Sequence, residues 1–129
     1  MIVRTSLVVS WVIIMLGATV ACGGTNAPVA RSKQIYDKQG CSACHTINGT
    51  GGTLGPDQTH LATNAAQRIA DTNYKGKAKD AAGYIRESIV EPSAYVVPNF
   101  PDNLMPPNFG QQLSAQDLND LIAYLLTLK

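Results

Sequence analysis

Cys41-Ser42-Ala43-Cys44-His45 places two thiols three residues apart, with an imidazole directly after the second. Each thiol can add to a vinyl group of a haem to form a thioether, while the imidazole reaches the iron from one face; C-x-x-C-H is the spacing at which that attachment is made. Two other chemistries draw on the same residues. A dithiol redox pair sits beside a βαβ pattern, and no strand-rich half is readable in this chain. A closed zinc site needs four ligands. Beyond the motif the remaining His and Cys are His60 and Cys22, and His45 is cramped against Cys44.

A haem held by one imidazole has a second face to fill. Past the first two dozen residues the chain has one methionine, Met105, in Asn103-Leu104-Met105-Pro106-Pro107, where two prolines stiffen the loop. A thioether is a soft ligand that favours ferrous iron, so a His45/Met105 pair raises the reduction potential and suits electron transfer. His60 is the alternative sixth ligand, but it follows His45 closely and reads better as a surface or hydrogen-bonded histidine. Gly55-Pro56 adds a main-chain carbonyl on a Gly-rich loop that can approach the His45 ring and accept its other N–H. An ordinary turn at Pro56 is the competing reading.

Helices must position these groups. One is expected from about Arg31 to Gln39, stopping at Gly40 and presenting Ile35 and Tyr36 inward just before the motif. The stretch from Gly49 to Pro56 reads as loop. Further helices are expected over about Leu61 to Asp71 and Ala81 to Val90, the latter ended by Pro92. The last is the plainest: Ser114 and Asp117 form a capping box, and Leu118, Leu121, Ile122, Leu125 and Leu126 repeat at helical spacing to the C-terminus. With no strand in prospect, the fold is expected to be all-α, its N- and C-terminal helices packed together around one haem.

The 129 residues hold 15% charged and 6% aromatic side chains, 11 Gly and 7 Pro, which suits one small domain of short helices and substantial loops. A formal net charge of +1 and the lack of a basic stripe argue against nucleic acid. Lys75, Lys77 and Lys79 form a local positive patch flanked by Asp71 and Asp80, either a solvated loop or a means of steering an acidic partner. Met1 to Arg4 followed by the apolar run Leu7 to Ala21 reads as an export signal, too short to span a bilayer comfortably. It leads into Ala18-Thr19-Val20-Ala21-Cys22-Gly23, which resembles a bacterial lipobox with Thr19 where Leu is commonest. Lipidation of Cys22 would account for the third cysteine, and retention of the run as an uncleaved anchor is the alternative. The expected organisation is residues 1–21 signal, 22–33 lipidated Cys and linker, and 34–129 the haem domain on the extracytoplasmic side of a cell membrane.

Across roughly residues 30 to 129 the chain resembles the class I c-type cytochromes. The matching residues are Cys41 to Ile47, Gly55-Pro56-Asp57, Tyr84 to Ile89 with Pro92, Met105-Pro106 and Leu121 to Leu125. Within that family the arrangement is similar to the haem domain of caa3-type oxidase subunit II and, with the lipobox, to the monohaem lipoprotein cytochrome of alternative complex III. The resemblance implies one covalent haem c bound by Cys41 and Cys44, axial ligation by His45 and Met105, a Pro56 carbonyl holding the His45 ring, and Arg68 reaching a haem propionate. These residues carry no copper-binding Cys/His cluster of the kind an oxidase subunit II has. The expected role is a single-electron carrier without a substrate of its own, serving a quinol-oxidising membrane complex or terminal oxidase and a soluble acceptor. A haem gas sensor or small peroxidase with a vacated distal site is the alternative.

Overall fold

Ser114 has an extended backbone, and its hydroxyl accepts the Asp117 N–H at 3.1 Å while donating to the Asp117 carboxylate at 2.8 Å, so a helix starts cleanly behind it. In the computed structural model, which describes residues 26–129, this helix is the last of five. They are α1 (Asn26–Lys38), α2 (Leu61–Ile69), α3 (Ala81–Val90), α4 (Phe109–Gln112) and α5 (Ala115–Leu125). Two-residue strands β1 (Thr46–Ile47) and β2 (Thr50–Gly51) form the sheet structure among the described residues.

Leu118, Leu121, Ile122 and Leu125 bury one face of α5, each adding roughly 1.5–3 kcal/mol of apolar burial. α1 lies against that helix and contributes Ile35 and Tyr36, and the rings of Tyr36 and Tyr124 meet edge to face at 5.7 Å. At the outer edge of the pair Arg31 bonds Asp117 at 2.7 Å and also reaches Asp120. α2 packs on α3, and α3 on α5, so that Leu61, Ala65, Tyr84, Ile85 and Ile89 complete the core. α3 is capped by Asp80, whose carboxylate accepts the Gly83 N–H at 2.7 Å. Pro92 ends it by opening a single 3₁₀ turn, Pro92–Ala94.

The structure departs from expectation in four places. α1 begins at Asn26, inside the stretch expected as a linker, because Pro28 falls in the first turn, where its missing N–H has no intrahelical partner to lose. Thr46–Gly51 and Ile47–Thr50 pair as a hairpin that starts before the expected loop and takes in its first residues, turned by Asn48 and Gly49 at φ 50° and 76°, the left-handed pair of a type I′ turn. α4 was not anticipated, having only four residues and no side-chain cap. α5 stops at Leu125, and the final residues instead tie back to α2: the Leu128 carbonyl accepts the Ala62 N–H and the Lys129 main-chain oxygen accepts His60 Nδ1–H, both at 2.8 Å. Cys22, the signal and the proposed lipobox lie outside the described residues.

Candidate functional site

Gly40, at φ 71°, closes α1 and sends the chain directly into a 3₁₀ turn, Cys41–Ala43. The Cys44 and His45 N–H groups both return to the Cys41 carbonyl, at 3.2 and 3.0 Å, so the motif is wound into a tight coil that brings both thiols to one cavity. The hairpin lies under this coil. Gly52 N–H donates to the Ser42 carbonyl at 2.9 Å, and a Cβ on Gly51 would run into the His45 carbonyl.

His45 is gripped by the following loop. Its Nδ1–H donates to the Pro56 carbonyl at 2.8 Å, the contact read from Gly55-Pro56, while Gly55 N–H holds the Cys44 carbonyl at 2.8 Å. With Nδ1 as donor, Nε2 keeps its lone pair for a metal. A Cβ on Gly55 would stand 2.5 Å from His45 Cε1, so the ring rests on the bare backbone of a glycine. Burial lowers the His45 pKa below its ordinary value, opposed by the Pro56 bond and assisted by the Arg68 charge. The imidazole is therefore in its neutral, ligating form at neutral pH. Burial also pushes the Cys41 thiol up to about 11, so it is un-ionised.

The cavity has a volume of about 290 Å³, near the small end of cofactor and ligand sites. Cys41, Cys44, His45 and Pro56 line it, together with Tyr84 and Ile85 of α3 and Leu121 and Leu125 of α5. Met105, half-buried against the core, reaches the same cavity from the 95–108 loop. That loop is fixed by the Asp102 carboxylate, which accepts from Ser93 Oγ at 2.6 Å and from Asn103 N–H at 2.7 Å, and by left-handed turns at Asn99 and Asn103. Arg68 also lines the cavity, its Nη1 donating to the Tyr84 hydroxyl at 3.3 Å and its guanidinium lying 5.8 Å over the Tyr84 ring. Arg68 and Asp102 are the Lys, Arg, Asp or Glu side chains of the lining. His60 is outside it, exposed and bonded to Lys129.

Two thiols, a neutral imidazole and a thioether converge on an otherwise largely apolar space, which is the donor set a covalently bound haem takes. Among the described residues no group of three or more His, Cys, Asp and Glu side chains gathers to hold a bare metal ion. Residues 29–129 match the family model described as Cytochrome c. The chain belongs to the cytochrome c family. This cytochrome has the all-α class I fold of that family and carries covalently bound haem c, the cofactor of electron transfer.

Two curated relatives agree. The cytochrome is 33% identical over 101 residues to cytochrome c-554(547) of Halothiobacillus neapolitanus, a match covering 78% of this chain and 96% of the relative. It is 28% identical over 100 residues to cytochrome c oxidase subunit 2 of Alkalihalophilus pseudofirmus, covering 77% of this chain and 25% of that subunit. The cytochrome thus matches a quarter of the length of the oxidase subunit. Among the described residues no helix is long and apolar enough to cross a membrane.

Sequence reasoning missed Gln58 and Tyr95, both in the lining. Gln58 accepts the Tyr36 hydroxyl at 2.9 Å. Tyr95 follows the 3₁₀ turn on a segment with no periodic pattern, and no local signal would have placed it in the cavity.

Proposed function

We propose that this cytochrome is a membrane-tethered monohaem carrier that moves single electrons between a membrane redox complex, quinol-oxidising or terminal oxidase, and a second acceptor. Haem c supplies a metal that changes oxidation state by one electron without making or breaking bonds to a substrate. Cys41 and Cys44 would hold it as thioethers, His45 Nε2 and Met105 Sδ would be its iron ligands, and Arg68 would balance a propionate. The Pro56 carbonyl keeps the His45 ring oriented and makes it a better donor. The observation that carries the reading is the convergence of Cys41, Cys44, His45 and Met105 on one apolar cavity. With both of these side chains bound to the iron, no open face would remain for a substrate.

The match to an oxidase subunit supports a place beside a terminal oxidase, and the resemblance to a complex-bound lipoprotein supports a place beside a quinol-oxidising one. Cys22 is the lipidated residue, and the domain faces away from the cytoplasm. The decisive test is Met105→Ala in the holoprotein. The ferric variant is expected to lose the long-wavelength charge-transfer band of a sulfur–iron bond, to bind carbon monoxide when ferrous, and to show a lower potential. A wild-type ferrous protein that binds carbon monoxide readily would establish the sensor or peroxidase instead. Mass spectrometry of Cys22 and co-purification from detergent test the anchor and the partner; a free, unlipidated monomer would refute both.

A further inference from the structure

Gln58 is a polar side chain in the wall of the haem cavity, two residues after the Pro56 carbonyl that holds His45. Its backbone is pinned on both sides: the N–H donates to the Thr46 carbonyl at 2.8 Å, and the carbonyl accepts the Leu61 N–H at 3.1 Å. Thr46 directly follows His45, so Gln58 is tied to the end of the Cys41–His45 motif. The side chain itself is half-buried.

Tyr36 decides which way the Gln58 amide faces. This residue of α1 is 3% exposed, lines the same cavity, and donates its hydroxyl hydrogen to Gln58 Oε1 at 2.9 Å. Its ring is held edge to face by Tyr124 of α5, which fixes where the hydroxyl stands. Burial, and then the neighbouring Cys41, push the phenol above its ordinary pKa, so it stays a protonated donor at neutral pH. A phenol that donates engages the carbonyl end of the amide, which leaves the two Nε2 hydrogens over. Among the described residues they meet no acceptor. The amide is thus a dipole with its negative end tied to Tyr36, set in the wall of a largely apolar space that screens it weakly.

We propose that Tyr36 and Gln58 form a fixed dipole that raises the reduction potential of the bound haem, with Gln58 Nε2–H turned toward the cofactor and Tyr36 as the positioning residue that holds it there. The inference rests on the electron-carrier reading above. The ferric state carries one more positive charge than the ferrous, so an amide hydrogen facing it opposes oxidation. If Gln58 served only to satisfy the buried Tyr36 hydroxyl, its loss would cost stability and leave the potential where it was.

Spectroelectrochemical titration of the full-chain holoprotein at pH 7 tests this, the axial-ligand spectrum of each variant showing that ligation is that of the wild type. Gln58→Leu keeps the bulk and removes the amide. It is expected to shift the equilibrium with a reference couple toward the ferric form about tenfold, a fall of about 59 mV for one electron. Gln58→Glu, which sets a carboxylate in place of the amide, should lower the potential further. Tyr36→Phe removes only the positioning hydroxyl and should lower it by less, about threefold in the same equilibrium. A Gln58→Leu potential equal to that of the wild type or above it would overturn the proposal. So would a Tyr36→Phe protein whose unfolding midpoint falls while its potential does not move, the behaviour of a purely structural bond. Should one variant fail to take up haem, the other two decide against the wild type by the same order. A wild-type protein with no reversible one-electron couple would instead bring down the carrier reading itself.

Discussion

Replacing Gly55 by Ala drives one methyl group into the face of the His45 ring. The new Cβ would stand 2.5 Å from Cε1, 2.8 Å from Nδ1 and 3.1 Å from Nε2, where relaxed carbon contacts lie at about 3.5–4.0 Å. The backbone would not object, since Gly55 is not among the glycines with left-handed φ. Where the space is free, such a Gly→Ala change stabilises by about 0.4–1 kcal/mol through the unfolded chain. Here overpacking costs about 1–3 kcal/mol. Relief requires either rotation of the ring away from the Pro56 carbonyl or retreat of the loop from the Cys44 carbonyl, each giving up a 2.8 Å hydrogen bond worth about 1 kcal/mol. The sum is a net loss of about 1–3 kcal/mol, with the His45 imidazole, the proposed iron ligand, displaced. Urea denaturation of the holoprotein, followed by haem absorbance and helical circular dichroism, measures the first part; the axial-ligand spectrum measures the second. Gly49→Ala is the control: it meets open space at φ 76° and should cost about 1 kcal/mol with no spectral change. A Gly55→Ala protein as stable as wild type, with an unaltered spectrum, would refute the argument.

Ser114→Ala removes the hydroxyl that caps α5 and should cost about 1 kcal/mol, lowering the midpoint of thermal unfolding by about 4–8 °C; an unchanged midpoint would show the Arg31 ion pairs holding that end alone. Hydrogen bonding from the Thr59 side chain, and then from the Thr59 N–H at 2.7 Å, holds the Asp57 carboxylate below the usual carboxylate range. Its contribution to stability is therefore complete above its unfolded-state pKa and is lost as pH falls through the lowered folded value. Asp57→Asn, which keeps an acceptor oxygen, should flatten the acid limb of the stability profile, and an identical acid limb would exclude this residue as its source.

The chemistry of the site was legible because it is local. Cys41, Cys44 and His45 are read from spacing alone, and the Pro56 contact follows because Gly55 and Pro56 lie close enough in sequence for one short loop to close on the ring. Ser114 and Asp117 announced α5 for the same reason. Asn48-Gly49 was also a legible hairpin signal, but a ladder of two residue pairs has no alternation to flank it. What escaped was non-local or too small to show a period. The tie from Lys129 to His60 joins residues 69 apart, which no window captures. Tyr74 and Tyr95 come from separate loops and meet each other, and Tyr84 of α3, only once the chain is folded. The start of α1 was obscured by small residues and Pro28, which read equally as linker until tertiary packing on α5 favours the helix.

The pairing of α1 with α5 also sets an order of events. Arg31 and Asp117 are separated by 86 residues, and Leu121 and Leu125 of α5 supply part of the cavity wall. In a chain emerging from its N-terminus, the thiols of Cys41 and Cys44 are exposed long before the segment that closes over them exists. Loop closure over so long a span is slow compared with forming the local coil of the motif. Cofactor attachment thus has a window before the native fold shuts it, and the last helix to arrive is the one that seals the site.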